Sequence, residues 1–265
     1  MRIPAFVASA LKGDQPMGRL LRPLANRLLP THPIPVTVLS GPAKGLKVVI
    51  EPHDEKSLWT GSHEPEVLSV MGDYLKPGSV CWDVGAHIGL HALFAGRCVG
   101  PSGHVHAFEP AAVNVARLRR GIALNHATNI TIHEMALSDK TGTAVLYDRG
   151  SNPLHTLIDG PRTVRGETVF CDTADRMAER LGRPDLIKID VEGAEKMVLA
   201  GARDLLSRDP PVLIVEYWTE ADVAHAKAAF PQYRFTQLDQ MNWLMTPGGA
   251  EQEAQAPFRL TFFRG

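Results

Sequence analysis

Long apolar runs are missing from this sequence, and none approaches the ~20 residues that a membrane-spanning helix requires. The start, Met1 to Leu11, has only a brief apolar patch from Ile3 behind a single arginine, too little for a secretory signal. Cysteine is scarce. The 3 residues, Cys81, Cys98 and Cys171, are odd in number and lack the CxxC spacing of a zinc or redox site, which suits a reducing compartment. Together these features set the expectation of a cytoplasmic protein with no transmembrane segment. Net charge is nearly absent as well. A formal −1 at pH 7 leaves no global field to draw in nucleic acid or an anionic membrane. What remains is a chain of 265 residues, enough to bury a core without disulfides or metal, as one α/β domain with an extension or at most two small domains. Composition leaves a homo-oligomer open.

One more absence carries the functional reading. The stretch Ser79-Val80-Cys81-Trp82-Asp83-Val84-Gly85-Ala86-His87-Ile88-Gly89 reads as a buried strand that breaks into a glycine turn and enters a helix. The next apolar run, His104 to Phe108, ends on Glu109, 24 positions after Gly85, the reach of a ribose-binding acid. A dinucleotide turn would read GxGxxG and hold a pyrophosphate at the helix N-terminus. Here the leading glycine is missing, and the fixed carboxylate of Asp83 repels a pyrophosphate. A cation suits that place better. S-Adenosyl-L-methionine carries a sulfonium, an ammonium and a ribose diol but no phosphate. Asp83 is expected to face its cationic part and Glu109 to accept both ribose hydroxyls. Gly85 and Gly89 let backbone and helix approach closely. The bland alternative, two ordinary strand-end carboxylates, is outweighed by their order on this topology. His87 either contacts the cofactor's carboxylate or caps the helix. Glu64, in His63-Glu64-Pro65-Glu66, either serves the dipole of the helix it begins or stands at the pocket mouth.

Elsewhere the chain alternates. Pro16 to Pro30 mixes arginines with leucines and could form a basic amphipathic helix, interrupted at Pro23; packing on its own domain is the favoured use. Runs at 35–39 and 46–50 flank a glycine-containing loop and predict a hairpin. A helix from Pro65 to Leu75 follows. Strands are expected at 80–84, 104–108, 131–136, 143–147, 186–190 and 212–216, with helices at 88–99, 113–125, 173–181, 194–206 and 219–230. Residues 148–166 read as a loop. The tail carries strands near 234–238, 243–246 and 260–263. This order predicts a doubly wound, mostly parallel sheet with helices on both faces, an antiparallel edge hairpin, and ligands at the strands' C-terminal edge. Residues 1–60 read as an extension and 61–265 as the cofactor-binding domain.

A second constellation lies in Leu186-Ile187-Lys188-Ile189-Asp190-Val191-Glu192-Gly193-Ala194-Glu195. Strand alternation puts Lys188 and Asp190 on one face, so a structural ion pair is the plain reading. The functional one is that Asp190 and Glu192 orient or deprotonate an acceptor at the rim, with Glu216 as a third acid on the same edge. O-Methylation benefits from a base, worth ~10²–10⁴-fold. His155, on the loop best able to cover a substrate, is the candidate. Clustered carboxylates also suit Mg²⁺, which is possible but not favoured; no metal site is assigned.

These strings resemble those of the FkbM-type S-adenosylmethionine-dependent methyltransferases over about residues 40 to 220. The matching segments are His63–Glu66, Asp83–Gly89, Ala107-Phe108-Glu109-Pro110, Asn125, Ala136-Leu137-Ser138-Asp139 and Leu186–Glu195. The resemblance implies a seven-stranded sheet and methylation of a hydroxyl on a small molecule, often a sugar or polyketide. It implies that Asp83, Gly85 and Glu109 bind the cofactor, that Ala136 and Leu137 border its adenine, and that Asp190 lies next to the transferring methyl. His87 stands where the family's turn would carry Asn, and the loop at 150–166 is particular to this chain. The competing classes are a nicotinamide oxidoreductase on a related sheet and a non-catalytic adenosyl-ligand-binding module.

Overall fold

The computed structural model describes residues 29–148, 155–156 and 166–248. The basic stretch before residue 29, the strand expected near 260–263 and most of the 148–166 loop lie outside the described residues.

The hairpin is present as β1 (Ile34–Thr37) and β2 (Lys47–Ile50), followed by a short helix, α1 (Lys56–Thr60), that periodicity did not show. Then come α2 (Pro65–Tyr74), β3 (Val80–Val84), α3 (Leu90–Val99), β4 (His104–Phe108) and α4 (Ala112–Asn125). The run expected as one strand at 131–136 breaks into β5 (Ile130–His133) and β6 (Ala136–Leu137), which join different sheets. Next are β7 (Gly142–Asp148), β8 (His155–Thr156) and β9 (Gly166–Asp172). Strand β9 went unread because only Val169 and Cys171 alternate inward before it reaches Asp172. The chain continues with α5 (Ala174–Leu181), β10 (Leu186–Ile189), α6 (Glu195–Ala200), α7 (Arg203–Arg208), β11 (Val212–Glu216), α8 (Glu220–Ala229), β12 (Tyr233–Gln237) and β13 (Asn242–Pro247). The single helix expected at 194–206 is thus two. Gly201 separates them where the chain presses on the loop after β6, and a Cβ there would lie 2.0 Å from the Ser138 carbonyl oxygen.

The main sheet has 7 strands in the order β12-β13-β11-β10-β3-β4-β5. Strands β11, β10, β3, β4 and β5 pair in parallel, and β13 runs antiparallel to both β11 and β12. This is the doubly wound, Rossmann-like sheet with its antiparallel edge hairpin. Alternation sorts the strands' side chains into two cores. Cys81, Val105, Ala107, Leu186 and Ile214 pack with Met71 of α2, Leu93 of α3 and Leu118 of α4. Trp82, Val84, Phe108, Ile187, Ile189 and Leu213 pack with Met177 of α5, Val198 of α6, Leu206 of α7 and Val223 of α8.

The hairpin is knitted into the first core. Val48 and Ile50 belong to it, and the buried Arg117 of α4 donates twice to the Val49 carbonyl, at 3.0 and 2.9 Å, while pairing with Glu55. A second sheet, ordered β6-β9-β7-β8, stands where the chain would otherwise pass from β5 directly to α5. Its inner face, with Leu146 and Val169, meets Ala111 at the start of α4. Both sheets therefore border the C-terminal edge of β3 and β4.

Candidate active site

Strand β3 delivers the turn. Gly85 has φ 83°, His87 50° and Gly89 90°, a left-handed backbone that is easy for glycine and costs a histidine roughly 1–2 kcal/mol. Gly85 is required on a second ground, since a Cβ would lie 1.8 Å from the Asp190 carbonyl oxygen. The amides of Gly85 and Ala86 both donate to the Phe108 carbonyl at 3.0 Å, which ties the turn to β4.

Glu109, 4% exposed, closes the turn from the other side. Its Oε2 accepts from the His87 amide at 2.8 Å, which holds the histidine in its left-handed conformation. Its Oε1 accepts from the Ala111 amide at 2.9 Å and from Asn114 Nδ2 at 3.3 Å, anchoring the start of α4. A carboxylate offers about four lone-pair positions. With three of these occupied, one acceptor position on Glu109 remains while the turn stays clamped. Burial pushes the Glu109 pKa up to about 7 despite the hydrogen bonds from Ala111, His87 and Asn114.

Strand β10 supplies the opposite wall. Lys188 is 1% exposed, and its Nζ lies 2.8 Å from Asp190 Oδ2 and 3.9 Å from Glu64 Oε2. Burial alone would discharge this lysine, but the carboxylates of Asp190, Glu64 and Asp83 override it and hold it ionised. Burial likewise opposes ionisation of Asp190, and the Lys188 ammonium pulls its pKa below the usual carboxylate range. Glu64 responds in the same way, with Lys188 and His91 outweighing its burial; His91 Nε2 lies 3.0 Å from Glu64 Oε2. The plain reading of a structural ion pair is therefore correct, and Asp190 lines the cleft as well. Just beyond it, Glu195 Oε1 accepts from the amides of Val191 at 3.2 Å and Gly193 at 3.0 Å. That clamp fixes a second left-handed turn, with Glu192 at φ 55° and Gly193 at 97°.

The crevice between the walls brings together Gly85, His87, Glu109, Ala136, Leu137, Asp190 and Glu192 of the expected set. Three other residues sit behind the wall. Asp83 is fully buried, on the Lys188 side of the sheet rather than at its rim, and its two carboxylate oxygens have no hydrogen-bond partner among the described residues. Burial raises its pKa against the pull of Lys188 and His91. Gly89 serves packing, since a Cβ there would lie 2.1 Å from Leu118 Cδ1. The Glu64 carboxylate is engaged by Lys188, His91 and Asn242 Nδ2, the last at 3.4 Å. The backbone of His155 pairs opposite Asp148 in the β7–β8 ladder, and its side chain lies outside the described residues.

The cleft also contains residues that sequence reasoning passed over. His63 lines it, although only its neighbour Glu64 was singled out. Asn114, 3% exposed, sits one turn after Glu109, a spacing that could have been read. Leu146 arrives from the inserted sheet and had no local signal. Glu216, the third acid expected on this edge, is outside the cleft lining and ends β11 beside Asp190, as the pairing of Ile189 with Val215 requires. It accepts from Trp218 Nε1 at 3.1 Å, and burial together with the Asp190 charge pushes its pKa up to about 9. Among the described residues no three His, Cys, Asp or Glu side chains converge as metal ligands do.

Comparison with known proteins gives a concordant picture. Residues 83–237 match the family model described as the methyltransferase FkbM domain. The 31-O-demethyl-FK506 methyltransferase FkbM of Streptomyces tacrolimicus is 36% identical over 166 residues, covering 50% of this chain and 63% of that protein. The hexuronic acid methyltransferase AglP of Haloferax volcanii is 28% identical over 148 residues, covering 54% of this chain and 58% of that protein. The matched region thus spans about six-tenths of each of these relatives. Among solved structures, the methyltransferase FkbM from Methylobacillus flagellatus KT aligns with a TM-score of 0.46 at 17% identity, covering 72% of this chain and 53% of that one.

Proposed function

The chain belongs to the FkbM methyltransferase family, and we propose that it transfers the methyl group of S-adenosyl-L-methionine to a hydroxyl of a small molecule. One observation carries this reading. A single crevice at the C-terminal edge of the sheet joins a turn without room for a side chain at Gly85, a buried acid at Glu109 and a rim acid at Asp190. Its remaining wall is apolar, formed by Ala136, Leu137 and Leu146.

The residues present fit that cofactor. The apolar wall suits adenine. The lone pair left on Glu109 suits one ribose hydroxyl, and Asn114 Oδ1, buried and without a hydrogen-bond partner among the described residues, suits a second donor. The buried carboxylates of Asp83 and Glu109 beside the turn disfavour a pyrophosphate, which counts against the nicotinamide alternative. When bound, the cofactor supplies an electrophilic methyl group on a sulfonium.

The chain's own residues bind and orient. Gly85 admits the ligand to the backbone, His87 and Glu109 hold the turn, and Asp83 and Glu64 set the charge behind it. Asp190, kept ionised by Lys188, accepts a hydrogen bond from the acceptor hydroxyl and aligns it, with Glu192 beside it on the rim. Such alignment contributes up to ~7–11 kcal/mol in favourable cases. One relative's name specifies a 31-O-demethyl compound and the other a hexuronic acid, and both support an oxygen-bearing acceptor here. A catalytic unit over residues 61–265, a cytoplasmic setting and no nucleic-acid partner belong to the same proposal.

Titration calorimetry with S-adenosylhomocysteine and with NAD⁺ tests it. Binding of the first and not the second is expected. Binding of NAD⁺ alone would replace the methyltransferase reading with an oxidoreductase.

A further inference from the structure

A hydroxyl becomes a competent nucleophile only as its proton leaves, and three carboxylates at this rim, Asp190, Glu216 and Glu109, are badly placed to receive it. Asp190 is held by an ammonium 2.8 Å away, which makes it a good hydrogen-bond acceptor and a weak base. Glu216 leans toward its protonated form beside Asp190. Glu109 accepts the hydrogen bonds that clamp the turn, and protonation would weaken them. Histidine is the side chain whose ordinary pKa suits proton transfer at neutral pH.

Two described histidines line the cleft, His63 and His87. The His87 ring points toward α1, with Nε2 3.6 Å from Glu55 Oε1. His63 is on the side of Lys188 and Asp190. It directly precedes Glu64, which has a left-handed backbone at φ 42° and a carboxylate anchored to His91 and Lys188, so the chain at His63 is rigidly placed. The charged and titratable groups around it are Glu64 on its own segment, His91 on α3, and Lys188 and Asp190 at β10. The His91 ring lies 6.0 Å away, centroid to centroid. Burial holds the imidazole in its neutral form, the form a base must have, while Glu64 and Asp190 are positioned to stabilise the imidazolium that forms during reaction.

We propose that His63 is the general base of the methyl transfer, an assignment that rests on the function proposed above. The acceptor hydroxyl, held by Asp190, gives its proton to the imidazole as its oxygen bonds to the methyl carbon and the carbon–sulfur bond breaks. The positive charge lost at sulfur appears on His63, which returns the proton to water when the products leave. His155 then has no part in the proton transfer.

The sulfonium offers a test that needs no acceptor. S-Adenosylmethionine and S-adenosylhomocysteine differ by one methyl group and one positive charge at sulfur. The histidine resonances of ¹⁵N-histidine-labelled protein are titrated with each ligand at saturation, and the His63 signal is identified by its loss in His63→Gln and His63→Asn. Sequential assignment identifies it if neither variant folds. The His63 pKa in the S-adenosylmethionine complex is expected to fall by about one unit relative to the S-adenosylhomocysteine complex, the order for a unit charge several ångströms away in a partly screened site. Histidines remote from the cleft serve as the internal control. If both ligands bind and His63 titrates identically, the base assignment is overturned while the cofactor reading stands. If neither ligand binds, both are overturned.

Discussion

Glu109 and Asp190 occupy equivalent places and behave oppositely. Each is the first residue after a parallel strand, the two strands flank β3 on either side, and both carboxyl groups line the same cleft. Glu109 meets neutral donors, the amides of His87 and Ala111 and the side chain of Asn114, and burial still pushes its pKa up to about 7. Asp190 meets a full counter-charge on Lys188, and its pKa falls in spite of burial. Dipoles offset the desolvation of a buried acid incompletely, whereas an ammonium more than offsets it. Glu195, which clamps its turn through backbone amides alone, falls on the Glu109 side, with a pKa raised by burial. One end of the cleft is thus suited to uncharged hydroxyls and the other keeps a permanent anion.

Removing the counter-charge breaks this contrast most severely. Lys188→Met leaves Asp190, Glu64 and Asp83 facing one another in the interior, and loss of one partner from a buried ion pair costs about 3–5 kcal/mol. Urea denaturation of the variant should show a loss of that size. A loss below about 1 kcal/mol would mean that Lys188 does not set the charge of the Asp190 wall.

The next largest effect comes from joining the two walls too tightly. Gly85 touches both, since its own amide reaches Phe108 beside Glu109 and its missing Cβ makes room for the Asp190 carbonyl. Gly85→Ala must push that carbonyl away or abandon φ 83°, at roughly 1–3 kcal/mol for overpacking and 1–2 kcal/mol for the left-handed backbone. A lower melting temperature and at least a tenfold loss of S-adenosylhomocysteine affinity are expected. Full affinity would show that the ligand does not approach the backbone here.

The fold was largely legible because its causes are local. Buried strands between Pro/Gly breaks, helices of about ten residues and the glycine turn all leave marks in consecutive residues. The inserted sheet was not legible, since β6 and β8 have 2 residues each and β9 alternates inward only at Val169 and Cys171 before Asp172. At the site, residues whose backbone forms the rim were readable from their place after a strand. Which carboxylates reach the cleft was not. Asp83 and Glu64 resemble Glu109 in sequence, but the register of β3 on β10 sets Asp83 beside Lys188, and the Glu64 carboxylate meets His91 and Lys188 instead. His63 was hidden because its importance comes from neighbours distant in sequence.

Glu109→Gln is a milder change that separates hydrogen bonding from charge. An amide NH₂ placed against the His87 or Ala111 N–H sets donor against donor, at about 1–3 kcal/mol for a buried donor left unsatisfied. Its pH dependence gives the sharper result. The folded pKa of about 7 lies above the ordinary value of 4.5, so the folded state holds the extra proton. The contribution of Glu109 is then fully present below about pH 4.5 and fades as pH rises through 7. Asp190 runs the other way. Its contribution is present above the ordinary value of 3.8 and is lost as pH falls through its lowered folded pKa. The stability gap between wild type and Glu109→Gln should therefore narrow from pH 4.5 to 7. A gap that widens over that range would assign Glu109 to the ionised class with Asp190.

The smallest effect should come from Glu216, which tests whether a neighbouring charge can move an acid across the same divide. It stands beside Asp190, receives the Trp218 indole N–H, and has its pKa pushed up to about 9 by burial and by the Asp190 carboxylate. Below about pH 4.5 the side chain is neutral in the folded and the unfolded chain alike, and Glu216→Gln replaces one neutral group with another of similar shape. A stability change within about 1 kcal/mol is expected there, the scale of substitutions that remove no buried contact. The difference should then develop with pH. The wild type loses stability relative to the variant as pH rises from 4.5 toward 9, because the unfolded chain gives up its proton while the folded state holds it next to Asp190, and the glutamine variant has no proton to lose. Melting curves from pH 5 to 9 should show the variant gaining on the wild type throughout. A constant difference would mean that Asp190 does not reach Glu216, and that the rim acids titrate independently.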